Sequence, residues 1–178
     1  MKSIKKVFKW WWGWNSSKIE NYLEEMAKKG WRLVEVSFGM TTFEFFKEDE
    51  QKTRYAFDYQ NKIDDEYLTI IKDAGWKYVS KSSGWILWRK SYIDIRPNLF
   101  TDNQSLIDRN KRLIQILSMM ILLQIPIITM SIIDNDYFNH PIVSRVIWFM
   151  YAPFFILLMF SIVSLFLASR RLKGDGRR

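Results

Sequence analysis

Two similar stretches decide the fold of this chain: IENYLEEMAKKGWRLVEV at Ile19–Val36 and DDEYLTIIKDAGWKYV at Asp64–Val79. In each stretch apolar residues recur at helical spacing, a glycine follows, and a tryptophan opens a run of strand-forming residues. The spacing L-x(6)-G-W occurs in both. A pattern that repeats across a helix, a turn and a strand predicts a duplicated supersecondary unit.

Each unit is predicted to contain a strand, a helix and two further strands. The alternating aromatics from Phe8 to Trp14 predict the first strand of the first unit, and RYAFDYQ at 54–60 predicts its counterpart in the second. Ser17 and Glu20 have the spacing of a capping box at the start of the first helix. Glycines at the ends of both helices are expected to adopt the left-handed conformation.

Each predicted helix has one apolar stripe, so both helices are expected to cover the same face of one sheet. The predicted fold class is therefore α+β: a tandem βαββ repeat forming a two-layer antiparallel sheet with two helices on one face, followed by a two-helix transmembrane hairpin. The order of the strands stays open at this point.

Two uncharged apolar runs, residues 113–133 and 146–169, are each long enough to cross a hydrocarbon layer of about 30 Å as a helix. Arginine and lysine flank the outer ends of both runs, whereas the loop between them carries Asp134, Asp136 and Arg145. The positive-inside rule then places both termini in the cytoplasm. The predicted location is the cell membrane, as a multi-pass protein, and no secretory signal peptide is predicted at the start.

These features predict six segments along the chain. They are a cytoplasmic tandem βαββ domain at 1–92, a linker and juxtamembrane helix at 93–112, transmembrane helix 1 at 113–133, a short extracytoplasmic loop at 134–145, transmembrane helix 2 at 146–169 and a basic cytoplasmic tail at 170–178.

The composition argues against catalysis. The 178 residues include no cysteine, one histidine and seven glycines, which excludes thiolate chemistry and leaves little for a phosphate-binding loop. Glu24 and Glu25 are interpreted as the solvent side of the first helix. The chain is expected not to be an enzyme and to use no cofactor and no metal. Direct nucleic-acid binding is not expected either, although the isoelectric point is near 9.6.

The nine tryptophans require an explanation. They allow three interpretations: core packing on both sheet faces, a protein or homodimer interface, or an aromatic pocket for a small ligand. The candidate binding residues are Trp10, Trp11, Trp12, Trp14, Trp31, Tyr55, Phe57, Tyr59, Trp76, Trp85 and Trp88.

The N-terminal segment KKVFKWWWGW also has the mixture of lysine and tryptophan that is typical of an interfacial membrane anchor. We favour a strand here, because the matching segment of the second repeat is central and is predicted to be a strand.

The two L-x(6)-G-W spacings, Leu23 to Trp31 and Leu68 to Trp76, together with FGMTTFEFFK and GWILWRK, resemble the bacterial domain-of-unknown-function family 2812. The resemblance covers about Lys6 to Tyr92. Members of that family are often encoded beside PadR-like transcription regulators, which implies a membrane-bound sensory or regulatory role.

The sequence thus predicts a membrane-anchored cytoplasmic adaptor or sensor that binds a protein partner or a small ligand through its aromatic repeat domain. The expected partners are the lipid bilayer and either a protein, namely a transcription regulator or a transporter, or a second copy of the chain. The alternative is an accessory subunit of a membrane transporter.

Overall fold

The computed structural model describes residues 3–100, 103–126, 128–129 and 141–175. The chain divides into an N-terminal unit, Met1–Ser105, and a C-terminal unit, Leu106–Arg178. Positions 134–140 of the predicted extracytoplasmic loop lie outside the described residues.

The N-terminal unit is built from two βαββ repeats with the same topology. The first contains β1 (Ile4–Phe8), α1 (Ser16–Lys28), β2 (Trp31–Ser37) and β3 (Thr42–Lys47), and the second contains β4 (Thr53–Tyr59), α2 (Asp65–Asp73), β5 (Lys77–Ser82) and β6 (Trp85–Ser91). Each repeat forms an antiparallel three-stranded sheet, with order β1-β3-β2 in the first sheet and β4-β6-β5 in the second. The predicted βαββ duplication is confirmed.

The repeats agree even in their irregularities. The register of β2 against β3 shifts between Leu33 and Glu35, and the register of β5 against β6 shifts between Tyr78 and Ser80. A bulge at the same position in both repeats explains why the apolar alternation after each Gly-Trp pair is imperfect. The predicted left-handed helix caps are also present, since φ is +73° at Gly30 and +81° at Gly75.

The prediction of one sheet with both helices on the same face was wrong. The strands form two sheets, and the helices contact opposite faces of the second one. Tyr55 and Phe57 of β4 belong to the core cluster that contains α1, whereas Ala56, between them, belongs to the cluster against which α2 packs. Successive residues of a strand point to opposite faces, so α1 and α2 cover different faces of the second sheet.

The predicted strand at Phe8 to Trp14 was also wrong, because the strand ends at Phe8. Phe8 pairs with Thr42, the first residue of β3, so the ladder ends where the tryptophans begin. Residues 9–12 continue as an irregular segment into a short 3₁₀ turn, Gly13–Asn15, that precedes α1.

The predicted capping box at Ser17 and Glu20 does not form. The N-cap of α1 is Asn15, whose side chain makes no capping bond and instead accepts a hydrogen bond from Ser17 Oγ at 3.2 Å. Glu20 is buried and its carboxylate is directed to β4. In the second repeat, by contrast, the Asp64 carboxylate caps α2 by accepting from the Tyr67 N–H at 2.8 Å.

The C-terminal unit contains the rest of α3 (Asn103–Leu122) and α4 (Pro141–Asp175). Among the described residues, α4 is the one helix that is long and apolar enough to cross a membrane, over Trp148–Gly174, with a mean hydropathy of 2.3 in its most apolar window. Only 17% of that window is buried, so its apolar side chains are largely exposed in the absence of a bilayer. Asn110 Nδ2 of α3 donates to Ser169 Oγ of α4 at 3.2 Å.

The first predicted span, at 113–133, stays a prediction. Helix α3 ends at Leu122 inside that span, a turn follows at Leu123 and Gln124, and residues 127 and 130–133 lie outside the described residues.

Candidate functional site

The eleven aromatic candidates do not form one surface. Tyr55, Phe57, Trp76 and Trp88 are each at most 3% exposed and belong to the hydrophobic core. The core-packing interpretation applies to Phe57, Trp76 and Trp88, because a ligand or partner cannot reach them without unfolding the sheet, whereas Tyr55 also lines a polar cleft of the N-terminal unit.

A second group is half-buried at the edges of the core: Trp11, Trp14, Trp31, Tyr59 and Trp85. The Nζ atoms of Lys5 and Lys47 lie 5.6 and 5.3 Å from the centroid of the Trp31 ring. Burial raises the pKa of the Tyr59 phenol. Trp11, Trp31 and Trp85 pack against the core cluster that contains α1, and the Tyr59 ring meets that of Trp85 edge to face at 5.3 Å.

Trp10 and Trp12 are the exposed members, at 59% and 39% of their possible surface. We call residues Trp10–Trp14 the tryptophan loop. The Trp10 and Trp12 rings meet edge to face at 5.4 Å, and the Trp12 and Trp14 rings stack at 4.7 Å with an interplanar angle of 16°. Three tryptophans therefore form a continuous aromatic surface outside the sheet.

Trp11 fixes the tryptophan loop to the core. Its indole Nε1 donates to the Met40 carbonyl at 2.7 Å, and its ring lies 4.5 Å from that of Phe57 and 4.9 Å from that of Trp85. Gly13 allows this close approach, because a Cβ at that position would lie 2.8 Å from the Trp85 ring. The loop is thus attached to the core at Trp11 and packs closely on it at Gly13.

The surroundings of the loop extend the apolar surface and add positive charge. Phe8 and Phe38 are 67% and 80% exposed. They lie near the same end of the first sheet, because the Lys9 N–H, which follows β1, bonds to the Thr41 carbonyl of the turn that contains Phe38. The Lys9 ammonium lies 3.7 Å from the centroid of the Tyr22 ring.

Because the tryptophan loop is not a strand, the sequence argument against an interfacial membrane anchor no longer holds. Alternation of aromatic residues there reflects two sides of a loop, one facing the core through Trp11 and one facing solvent through Trp10 and Trp12.

The carboxylate of Glu24 is not on the solvent side of α1, as the sequence had indicated, but 4% exposed. It accepts hydrogen bonds from Tyr92 Oη and from Arg96 Nε. Burial alone would raise the pKa of Glu24, but the hydrogen bonds from Arg96 and Tyr92 and the charges of Arg96 and Arg54 lower it. Glu24 is therefore ionised at neutral pH and ties the segment after β6 to α1, which is a structural role.

Sequence analysis missed a polar cleft within the N-terminal unit. It holds about 340 Å³ and takes residues from both repeats, including Arg32 of the first and Lys77 of the second. Each of these two residues directly follows a Gly-Trp pair. A basic residue at the same position of both repeats was the signal that could have revealed the cleft.

Within the described residues, no group of histidine and carboxylate side chains is arranged to hold a metal ion.

A family model described as Protein of unknown function (DUF2812) matches residues 15–123, which is more than half of the chain and includes both helices of the repeats. Neither a curated protein nor a solved structure matches the chain. The matched region begins directly after the tryptophan loop. The chain belongs to the DUF2812 family.

Proposed function

We propose that this protein is a membrane-anchored regulatory adaptor of the bacterial cell that binds a protein partner through its tryptophan loop. The observation that carries the proposal is the exposure of Trp10 and Trp12 on a loop that Trp11 locks to the core. Tryptophan is enriched among the residues that dominate binding energy at protein interfaces. A loop that is rigid before binding loses little conformational entropy on association.

The charges around the loop indicate the chemistry of the partner. Lys6 and Lys9 are exposed beside the aromatic surface, and the nearby Lys6–Glu44 pair is long at 3.9 Å and solvent-accessible. An apolar pocket bordered by carboxylates would complement this surface, because rim charges of opposite sign steer association.

The anchor is a helical hairpin in this proposal, with spans at 113–133 and 146–169 and with both termini in the cytoplasm. The exposed apolar surface of α4 supports the second span, and the apolar composition of residues 113–133 supports the first. The arginines and lysines beside the outer ends of both spans support the orientation.

Cysteine labelling tests this topology, because the natural chain has no cysteine. Single variants Lys2→Cys, Asn139→Cys and Gly176→Cys are expressed in intact bacteria and treated with a membrane-impermeant maleimide. We expect labelling of Asn139→Cys only, with Lys2→Cys and Gly176→Cys labelled once the cells are lysed. Labelling of exactly one terminus in intact cells would show a single crossing and would contradict the hairpin.

The partner surface is tested by affinity capture of the full chain from bacterial membranes in mild detergent. We expect Trp10→Ala/Trp12→Ala to lose at least about 90% of a protein that the natural chain retains, since loss of two interface tryptophans costs more than a tenfold change in affinity. Ile70→Ala is the matched control, because Ile70 is an equally exposed apolar residue on α2.

Three other results would contradict the proposed role of the loop. Unchanged capture by the double variant would place the binding surface elsewhere, and equal loss with Ile70→Ala would show non-specific adhesion. If the natural chain retains no protein whose capture depends on Trp10 and Trp12, the loop contacts the bilayer and not a protein partner. Recovery of a transcription regulator would identify the regulatory pathway that the adaptor serves.

A second candidate function is an accessory subunit of a membrane transporter. It is favoured by an apolar cavity of about 250 Å³ in the C-terminal unit, lined by Gln124, Trp148, Tyr151, Phe155 and neighbouring residues. Such a surface could receive a side chain from another membrane helix. In that case the captured protein would be a transporter, and its capture would not depend on Trp10 and Trp12.

A further inference from the structure

We infer that the polar cleft of the N-terminal unit is a binding site for a small phosphorylated ligand. The site is separate from the tryptophan loop and does not depend on the proposed adaptor function. Its lining consists of Arg32, Gln51, Thr53, Tyr55, Gly75, Lys77, Arg89, Lys90 and Ser91. Four of these nine residues are cationic, and none of them carries a carboxylate.

Position in the repeat explains why the cations converge. Arg32 is the second residue of the first repeat's β2, and Lys77 is the first residue of β5, directly after the corresponding Gly-Trp pair. Lys77 pairs with Arg89 across the β5–β6 ladder, so these two side chains lie on the same face of the second sheet. The cleft therefore brings together equivalent basic positions of the two repeats.

The neighbours of the cations neutralise them only in part. Arg32 forms an ion pair with Glu48, with Nη2 to Oε1 at 2.7 Å and Nε to Oε2 at 2.7 Å. Lys90 Nζ donates to the Ala74 carbonyl at 2.7 Å, which fixes the ammonium without cancelling its charge. Lys77 and Arg89 add two further positive charges on one face. Like charges held this close repel each other unless an anion joins them.

The other lining groups fit a phosphate better than a simple carboxylate. Tyr55 lies on the floor of the cleft with its hydroxyl beside the Arg89 guanidinium, and that hydroxyl accepts a bond from the Leu33 N–H at 3.4 Å. Thr53 Oγ1 and Ser91 Oγ lie 3.4 Å apart at the same cleft. A guanidinium, ammonium groups and hydroxyls together supply the many donors that the several oxygens of a phosphate accept.

The size of the cleft limits the ligand. A volume of about 340 Å³ lies at the lower end of the range for small-molecule sites. A diphosphate or a small phosphate ester fits this volume, whereas a folded nucleic acid does not. The chemistry is shared by free phosphate esters and by the headgroups of anionic lipids, so the experiment separates these two sources.

Calorimetric titration of the full chain in nanodiscs of neutral lipid, at about 0.15 M salt, tests the site with inorganic pyrophosphate as the probe. We expect saturable binding of one pyrophosphate per chain. Arg89→Gln and Lys77→Gln are each expected to weaken it about tenfold or more. Lys81→Gln is the matched control, because Lys81 is exposed on the same strand, carries the same charge and does not line the cleft.

Nanodiscs that contain an anionic phospholipid provide the second arm. If the natural chain no longer binds pyrophosphate in these anionic nanodiscs, a lipid headgroup occupies the cleft. If its binding is unchanged, the ligand is a soluble phosphate ester. Near-ultraviolet circular dichroism verifies that each variant is folded. Two results overturn the proposal: no heat of binding at millimolar pyrophosphate, or an equal loss of affinity in Lys81→Gln, which would show general attraction to a basic protein.

Discussion

Replacement of Trp88 by alanine is expected to lower the free energy of unfolding of the N-terminal unit by about 3 to 5 kcal/mol. The Trp88 side chain is fully buried in the second sheet. Its ring meets those of Tyr67 and Tyr78 edge to face at 6.1 and 6.0 Å, and its Nε1 donates to the Tyr67 hydroxyl at 3.1 Å. Removal of the indole leaves a cavity between β6 and α2 that two tyrosines cannot fill.

Thermal unfolding of the full chain in mild detergent, followed by near-ultraviolet circular dichroism, measures this effect. The midpoint is expected to fall by more than about 10 °C. Trp12→Ala is the matched control, because it removes the same side chain from an exposed position and is expected to change the free energy of unfolding by less than about 1 kcal/mol. Similar unfolding midpoints for the two variants would show that the stability of the second repeat does not depend on the Trp88 side chain.

The repeat itself could be predicted because its signals are local. Gly30 and Gly75 end their helices with a positive φ, and the tryptophan after each glycine begins a strand. These features depend on a few neighbouring residues, which a sequence displays directly. The bulge after each Gly-Trp pair left a local trace too, in the broken alternation of β2.

The arrangement of the sheets could not be derived from the helix stripes alone. The relevant signal lies in β4, where every residue from Thr53 to Asp58 is buried. A strand covered on both faces belongs to a sheet between two layers, and consecutive apolar residues such as those at 55–57 indicate it. One apolar stripe per helix predicts both helices on one face only where a single face of the sheet needs covering, and the second sheet has two such faces.

The strand predicted from Phe8 to Trp14 was wrong for a related reason. Alternation reports on which side chains share a face, but a strand also needs a partner with free backbone groups, and β3 begins at Thr42, the residue that pairs with Phe8. The burial of two carboxylates on α1 could not be predicted for a similar reason. Charged residues on a helix are usually solvated, and the partners of Glu20 and Glu24, such as Arg54 and Arg96, are distant in sequence.

Replacement of Glu20 is the second change for which we expect a large loss of stability, because the Glu20 carboxylate accepts hydrogen bonds from two groups of β4. One carboxylate oxygen accepts from Arg54 Nη2 at 2.7 Å, and the other accepts from the Phe57 N–H at 3.0 Å. Strand β4 is an edge strand, so α1 closes this edge of the second sheet with a side chain in place of a neighbouring strand. Only 8% of the Glu20 side chain and 11% of the Arg54 side chain are exposed.

Glu20→Ala is expected to lower the free energy of unfolding by about 3 to 5 kcal/mol, because Arg54 keeps a buried charge and the Phe57 N–H loses its carboxylate acceptor. Arg54 retains its bond to the Tyr55 carbonyl and a 3.9 Å contact with Glu24, which limits the loss. Glu25→Ala is the control on the same helix, since its carboxylate is 57% exposed and its pair with Lys28 is expected to contribute less than about 0.5 kcal/mol. Urea unfolding of the full chain in detergent compares the variants. If Glu20→Ala is as stable as Glu25→Ala, the attraction between Glu20 and Arg54 only balances the cost of removing both charges from water. The edge of β4 would then be closed by packing and not by charge.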